Sequence, residues 1–320
     1  MLMEEDAVNY SVRILSRMAA NDAYFLTLRE KIIFCKFLQN DAEGNHFSSL
    51  RNFESRFLSL TITDVSIAVK RGFPRAKWSA KDTFNRVKIA EKILEAQNIK
   101  SVCILEEDFP ALLRIIPDPP FMLFYRGNLE ILKKRCVSVV GTRKAFPSSL
   151  KAASDFSKEA CDDGLCVVSG LAFGIDAAAH KGALLSQTPV TCAVLPSGID
   201  MITPQSNMRL AVKILEKGGL IMSEYLPGTP SVPFRYVQRN RIVAALSPGT
   251  IVVQAQSGSG AMITADLALD YNRDVFFHTQ CFLENAATNP ASQKGSSPKT
   301  FVDDGAKIIK NYSEFKSLLQ

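Results

Sequence analysis

The sequence lacks the motifs and ligand clusters that hold the common cofactors. Neither the dinucleotide fingerprint Gly-x-Gly-x-x-Gly nor a Walker A loop occurs in it. Its seven cysteines form no Cys-x-x-Cys pair, and its three histidines (His46, His180 and His278) lie far apart. These absences predict no metal site, no resident cofactor, and reduced buried thiols of the kind found in cytoplasmic proteins.

Long hydrophobic runs are absent as well. No stretch approaches about 18 unbroken apolar residues, and residues 1–6 are acidic, so we expect neither a membrane span nor a signal peptide. Hydrophobic residues make up 47% of the chain and charged residues 22%, with a net charge of +6. A globular protein of 320 residues is long enough for roughly two domains, and its mild basicity permits a nucleic-acid partner without requiring one.

Residues 1–99 have the pattern of a small, separate all-helical domain. Apolar residues recur at helical spacing, and the segments expected to be helical are 23–39, 49–58, 63–70 and 79–97, with Ser79 and Asp82 resembling a capping box. Lysines and arginines outnumber acids in residues 70–92. This excess indicates either a solvated helix face or an accessory contact with phosphates.

Residues 100–320 alternate short β-branched runs with helical segments. This alternation predicts a doubly wound, mostly parallel α/β sheet with ligand-sized loops at the carboxyl ends of its strands. Two strands are expected at 100–105 and 121–125, and the sheet continues at 137–140, 165–168, 191–195, 219–222, 250–254 and 274–277. Helices are expected at 148–161, 176–185, 207–217, 239–245 and 262–269, a surface loop at 285–298, and a last strand at 300–303 before a terminal helix.

Three loops at these strand ends contain glycine beside hydroxyl or cationic side chains. Residues 141–144 read Gly-Thr-Arg-Lys, residues 169–176 contain a serine and two glycines, and residues 256–260 are rich in serine and glycine. Such loops let backbone N–H groups approach an anion, so together they predict an anion-binding groove. Asp176 is interpreted as a helix cap, and His180, one turn later, as a packing or hydrogen-bonding residue in preference to a catalyst.

Residues 230–241 alternate arginines with aromatic rings in a proline-bounded loop. The sequence Pro-Ser-Val-Pro-Phe-Arg-Tyr-Val-Gln-Arg-Asn-Arg suits a single nucleic-acid strand, since cations follow the backbone while rings stack on bases. In the alternative interpretation, Phe234 and Tyr236 anchor the core, and the arginines cap helices or form salt bridges. We favour the binding interpretation because Arg239 and Arg241 bring two cations to one turn.

The order of these motifs resembles that of the bacterial DNA-processing protein A family (DprA, also called Smf). The similarity covers about residues 100–310 and includes the Gly-Thr-Arg-Lys loop, the run Ser-Gly-Leu-Ala-Phe-Gly-Ile-Asp, and Arg-Asn-Arg. From the residues and this resemblance together, the predicted DNA contacts are Gly141, Thr142, Arg143, Lys144, Ser169, Gly170, Leu171, Gly174, Phe234, Arg235, Tyr236, Arg239, Asn240, Arg241 and Ser259.

The resemblance implies an extended Rossmann-like domain at 100–320 that binds single-stranded DNA. It also implies a non-enzymatic homodimer that protects incoming DNA and helps load RecA recombinase during natural transformation in the cytoplasm. The helical region is similar in position to the family's sterile-alpha-motif-like (SAM-like) domain. We do not expect the C-terminal winged helix that many members carry.

Several positions depart from the family pattern. Val237 replaces a proline, Gln254 replaces an acid after a Val-Val strand, and Thr279-Gln280 replaces Pro-Gly. These departures bear on the pocket rim and the dimer contacts. An alternative function is a phosphoribohydrolase-like, nucleotide-processing enzyme that uses Asp176 or Glu224, although its Pro-Gly-Gly-x-Gly-Thr-x-x-Glu motif is absent. A third is an interaction scaffold without a working pocket.

Overall fold

The computed structural model describes residues 2–40, 43–283 and 296–318, with the side chains of residues 2–5 left out. The predicted surface loop at 285–298 therefore lies almost entirely outside the described residues.

Five helices form the region before residue 99, and hydroxyl side chains set where several of them begin. Thr27 and Glu30 form a reciprocal capping box, which starts the second helix at Leu28 and not at the predicted residue 23. Ser79 accepts the N–H of Asp82 at 3.2 Å, which confirms the predicted start of the fifth helix. The first helix was not predicted. The helices are α1 (Leu2–Asp22), α2 (Leu28–Gln39), α3 (Leu50–Ser59), α4 (Ile62–Val69) and α5 (Ala80–Ala96).

A nine-stranded, mostly parallel sheet follows, as the alternating pattern predicts. Its spatial order is β1-β2-β6-β5-β4-β3-β7-β8-β9, and only β2 runs antiparallel to its neighbours. The six predicted central strands lie within two residues of the observed ones. The strands are β1 (Lys100–Cys103), β2 (Met122–Gly127), β3 (Cys136–Val140), β4 (Cys166–Ser169), β5 (Thr191–Val194), β6 (Leu220–Ser223), β7 (Gly249–Val252), β8 (Asp274–His278) and β9 (Lys307–Ile309).

The helices between these strands correct two predictions. Pro233 occupies the first turn of a helix, where its missing N–H costs nothing, so Pro233–Ala245 is helical and the expected loop ends there. Ser297 caps a helix at Pro298–Asp303, where a strand was expected. The helices are α6 (Ala111–Arg114), α7 (Pro147–Asp162), α8 (Ile175–Ala183), α9 (Met208–Glu216), α10 (Pro233–Ala245), α11 (Gly260–Asp270), α12 (Pro298–Asp303) and α13 (Tyr312–Leu318).

The direction in which the chain crosses the sheet reverses at β3. After β3 the strands β4, β5 and β6 extend to one side, and the chain then returns to place β7, β8 and β9 on the other. The loops that leave β3 and β7 at their carboxyl ends therefore diverge. In open α/β sheets this switch point leaves a crevice in which ligands bind.

The helical region and the sheet share one hydrophobic core. Buried residues such as Val12 and Phe34 belong to the same cluster as Met122 on β2, and the seven cysteines are buried and free. The secondary structure does change at residue 100, but the two parts pack together and are not structurally separate. None of the described helices is both long and apolar enough to cross a membrane.

A buried charge cluster joins the two parts. The Arg241 guanidinium binds the Glu224 carboxylate and lies 3.3 Å from Asp118, and both Arg241 and Glu224 are largely buried. The backbone oxygen of Glu224 accepts a bond from Asn21 of α1 at 3.0 Å. Burial lowers the pKa of the nearby Lys31 ammonium, while the charge of Glu224 opposes that shift. A buried ion whose charge is compensated by one partner destabilises the folded protein once that partner is removed, because the remaining charge is then uncompensated.

Replacing Glu224→Gln should therefore destabilise the protein by about 3 kcal/mol, because it leaves the Arg241 charge buried and poorly compensated. The matched control is Asp118→Asn, which removes the other carboxylate of the same arginine. Because the Asp118 side chain is 79% exposed, we expect a cost below about 1 kcal/mol there. Urea unfolding of both variants measures the difference, and equal costs would contradict the assignment.

Candidate nucleic-acid interface

A cleft of about 670 Å³ opens at the switch point between β3 and β7. We call it the switch-point cleft. Its walls are the loop after β3, the loop after β4, and the first turns of α10 and α11. Its principal lining residues are Gly141, Thr142, Arg143, Gly170, Asp176, Tyr236, Arg239, Asn240, Ser259 and Gly260.

The glycine of the first loop is required for packing. A Cβ atom at Gly141 would lie 2.5 Å from the side chain of Ile175, so only glycine fits there. The N–H of Thr142 donates to the backbone oxygen of Gln254 at 2.7 Å. The Gln254 side chain in turn accepts the N–H of Phe146 at 3.0 Å, so this departure from the family pattern holds the loop in place.

Part of the loop after β4 is occupied by bonds within the protein, in contrast to the sequence-based prediction of an open anion site. Gly174 has φ 75° and stands just before α8, and the N–H of Ile175 donates to the Thr142 oxygen at 3.2 Å. Asp176 is not the predicted cap of α8, since its carboxylate accepts the N–H of Gly170 at 3.2 Å. The N–H groups of Gly170 and Ile175, which were expected to bind an anion, thus donate to other protein groups.

Two further predicted contacts in this loop are buried. The hydroxyl of Ser169 donates to the oxygen of Val139 at 2.7 Å, and Ser169 is fully buried. Leu171 is also fully buried and has φ 58°, a backbone conformation stabilised by Asn207, whose amide donates to the Leu171 oxygen at 2.9 Å. Neither side chain faces the cleft, so both maintain the shape of the loop.

Arg239 forms the floor of the switch-point cleft and is not an exposed phosphate contact. It is only 4% exposed, and its guanidinium donates to the oxygens of Gly170, at 2.5 Å, and Val194. Burial lowers the pKa of Arg239, and the Asp176 carboxylate opposes that shift. A Cβ atom at Gly170 would lie 2.2 Å from this guanidinium, so the glycine makes room for the arginine.

The structure does not bring Arg241 to the cleft. Successive helical residues are about 100° apart, so Arg241 points away from Arg239 on α10 and reaches Glu224 and Asp118. The sequence analysis expected a loop that runs into a helix at 239–245, with both arginines on the turn where the two meet. Because residues 233–245 are helical, the two side chains separate, and Arg241 belongs to the buried charge cluster.

Arg143 is the exposed cation of the cleft. Its guanidinium lies over the ring of Tyr236, 4.8 Å from the centroid, in cation–π geometry. The Tyr236 hydroxyl is 3.2 Å from that of Thr203, which fixes the ring. Lys144 follows Arg143 and is also exposed. Arg143 and Tyr236 thus present a positive charge and an aromatic face side by side.

Phe234, the other aromatic residue predicted to contact DNA, lies on α10 at the rim of the switch-point cleft. Phe234 is 58% exposed and is not part of the cleft wall. The Arg235 guanidinium lies between two rings, 5.5 Å from the centroid of Phe234 and 5.0 Å from that of Tyr225, and donates to the oxygen of Pro230. Arg235 and Phe234 thus extend the surface beyond the cleft.

The N-terminus of α11 completes the wall. Ser259 precedes the helix, and its hydroxyl oxygen is buried without a hydrogen-bond partner in the described part of the chain. Gly260 and Ala261 contribute first-turn N–H groups that have no acceptor among the described residues. The amide of Asn240 donates to the Gly260 oxygen at 3.1 Å, which ties α10 to α11. Helix N-termini of this kind favour anions.

A second cleft, of about 770 Å³, adjoins the first and shares Arg143 with it. We call it the lysine cleft. It lies against α7 and α8, and the sequence analysis missed it because its residues are separated in sequence and belong to helices that were interpreted only by their apolar faces. Its principal lining residues are Arg143, Lys144, Leu150, Lys151, Phe173, Lys181 and Asn207.

His180 is a structural residue, as the sequence analysis favoured. It is fully buried, and its Nδ1 lies 2.8 Å from the hydroxyl of Thr191. Burial lowers its pKa to about 3. No cluster of three or more histidine, cysteine or acidic side chains suited to a metal occurs in residues 2–40, 43–283 and 296–318.

The depressed pKa of His180 predicts acid sensitivity. Between the ordinary value of 6.5 and about 3, the unfolded chain binds a proton at His180 that the folded chain does not. The free energy of unfolding should therefore fall as the pH falls through that window, by up to about 1.4 kcal/mol per pH unit. In His180→Gln this contribution to the slope should disappear, as measured by urea unfolding between those pH values.

The control for this measurement is His46→Gln, since His46 is exposed. A wild-type slope that survives in His180→Gln would show that other groups cause the acid sensitivity.

Comparison with known proteins finds relatives that are named Smf or DprA. The chain is 31% identical to Protein Smf of Borreliella burgdorferi over 285 residues, which is 89% of this chain and 85% of that protein. It is 40% identical over 182 residues to the DNA processing protein DprA of Streptococcus pneumoniae, covering 57% of this chain and 64% of that protein. The Borreliella match is longer than residues 100–320, so it includes part of the helical region.

Solved structures agree with this relationship. The X-ray structure of DprA from Streptococcus pneumoniae matches with a TM-score of 0.65 and 31% identity over 84% of this chain and 90% of that one. DNA processing protein A from Helicobacter pylori, in a structure described as showing a single-stranded DNA binding mode, matches with a TM-score of 0.58 and 27% identity over 69% and 95%. The family model described as DNA recombination-mediator protein A matches residues 100–320. The chain therefore belongs to the DNA recombination-mediator protein A family.

Proposed function

We propose that this protein binds single-stranded DNA in the switch-point cleft. The observation that carries the proposal is the exposed Arg143 guanidinium, held over the Tyr236 ring beside the open N-terminus of α11. A cation and helix N–H groups suit phosphates, while an aromatic face suits any unpaired base. Arg239, Ser169, Leu171 and Arg241 have structural roles in this proposal and do not touch the strand.

The described relatives support the same ligand. The Helicobacter protein is described by its single-stranded DNA binding mode, and this chain covers 95% of it. Three separate parts of the chain meet in the cleft: Arg143 comes from the loop after β3, Tyr236 from α10, and Ser259 from the start of α11. A ligand larger than a small ion needs such a surface, because it contacts several side chains at once.

The protein acts by binding and not by catalysis in this proposal. A nucleotide-processing reaction would need a free carboxylate in the cleft. Asp176 is 7% exposed and accepts the Gly170 N–H, and Glu224 is bound to Arg241 outside the cleft wall. Asp176 lines the cleft but its carboxylate is engaged in this bond, and Glu224 lies elsewhere, so neither acid is a free carboxylate beside a bound strand.

We further propose that the bound strand is passed to a recombinase. The family description as a recombination mediator supports this role. As the sequence-based resemblance implies, the expected partner is RecA, the expected assembly is a homodimer, and the expected compartment is the cytoplasm. The SAM-like identity of residues 1–99 stays a prediction of the same kind.

Arg143→Ala should weaken binding to oligo-dT by about tenfold, because it removes both a phosphate contact and the cation that covers Tyr236. The slope of log affinity against log salt should also become shallower by about 0.7, the value for one phosphate contact on a single strand. Fluorescence anisotropy at several salt concentrations measures both quantities.

The matched control is Arg135→Ala. Arg135 is exposed and stands just before β3, at the opposite edge of the sheet from Arg143. If the two variants bind equally well, the switch-point cleft is not the DNA site. The mediator role is tested with the same pair, by the rate at which RecA assembles on a strand covered by single-strand-binding protein; the control should accelerate assembly as wild type does and Arg143→Ala should not.

A further inference from the structure

We propose that the lysine cleft is a second subsite for the same DNA strand, in which a base stacks on Phe173 while Lys144 and Lys181 hold phosphates. This inference rests on the proposed function of the switch-point cleft. It extends the binding surface over α7 and α8, away from α10 and α11.

The charge of the lysine cleft is of one sign. Its wall contains Arg143, Lys144, Lys151 and Lys181, and no acid occurs among the described residues that form it. Lys151 is paired with Asp155 at 2.5 Å. Lys144 and Lys181 have no carboxylate within salt-bridge distance among the described residues. Cations gathered without counter-charges at a concave surface attract a polyanion.

The aromatic residue in this cleft is exposed and stands on a well-held backbone. Phe173 is 49% exposed, although it follows a loop whose backbone is held on both sides. The N–H of Ala177 donates to the Ala172 oxygen at 3.1 Å, and a Cβ atom at the next residue, Gly174, would lie 2.2 Å from the Thr142 oxygen. The ring is thus presented by a well-held backbone, so stacking on it costs little backbone conformational entropy.

The two clefts share one lining residue. Arg143 lines both, with Tyr236 on one side and Lys144 with Phe173 on the other. Ala177, Ala178 and Leu150 give the lysine cleft an apolar floor, which suits a base and not a hydrated ion. Alternating rings and cations along one groove are the arrangement by which proteins hold unpaired strands without sequence preference.

Stacking can be measured directly by the fluorescence of a tryptophan placed at the site with Phe173→Trp. The chain has a single native tryptophan, so that residue is first removed with Trp78→Phe and the new tryptophan is then the only emitter. Oligo-dT from about 4 to about 16 nucleotides spans the usual site sizes of single-strand-binding modules. We expect the tryptophan emission to be quenched by the longer oligonucleotides and not by the shortest ones, which fill the switch-point cleft alone. In the native background, Phe173→Ala should weaken binding of the longer ones by about tenfold.

The lysines give an independent measurement that does not require Trp78 to be replaced. The double variant Lys144→Ala with Lys181→Ala should make the salt slope shallower by about 1.4 for long oligonucleotides, two contacts at about 0.7 each. Short oligonucleotides should bind to the single variant Lys181→Ala as they bind to wild type, since Lys181 lines only the lysine cleft. The control is Lys134→Ala with Lys217→Ala, two exposed lysines at the amino edge of the sheet.

The outcomes separate the two proposals. If Arg143→Ala weakens binding while Phe173→Trp emission stays unchanged at saturation and the lysine pair behaves like its control, the second subsite is refuted and the first stands. If wild type does not bind oligo-dT of any length, the proposed function is refuted together with the subsite.

Discussion

A buried guanidinium, that of Arg239, connects the elements from which the binding surface is built. It extends from α10 to the backbone oxygens of Gly170 after β4 and Val194 at the end of β5. Burying a cation is costly, and here two charge-assisted bonds and the charge of Asp176 offset the cost. The result is that α10 lies across the carboxyl edge of the sheet. Tyr236, three residues before Arg239, is thereby turned toward the same cleft.

The position of Arg239 explains why some residues of the groove have structural roles and others face the ligand. The glycines at 141, 170 and 174 let loops and the Arg239 head group pack closely, and several backbone N–H groups beside them, those of Thr142, Gly170 and Ile175, donate to other protein groups. The surface offered to a ligand therefore consists of side chains, with Arg143 and Tyr236 at its centre, together with the N-terminus of α11. Such a surface is suited to a flexible strand more than to a nucleotide cradled by backbone amides.

The sequence predicts the sheet and its loops well because buried parallel strands leave a strong pattern of β-branched residues. It also places Arg143, Tyr236, Asn240 and Ser259 correctly at the carboxyl edge. It fails at 233–238, where helix and loop cannot be distinguished locally and the helix begins earlier than expected. It also fails to separate Arg239 from Arg241, which α10 places about 200° apart and supplies with buried partners. Burial of Ser169 and Leu171, and the meeting of Phe173 with Lys181, depend on tertiary packing that no local pattern encodes.

The most direct test of the central claim is to map where a bound strand touches the protein, by ultraviolet cross-linking of oligo-dT followed by mass spectrometry of the cross-linked peptides. The account predicts cross-links at Tyr236 and in the loop that contains Arg143. Cross-links confined to the basic helical segment at residues 70–92, with none at the switch-point cleft under conditions of saturated binding, would contradict it.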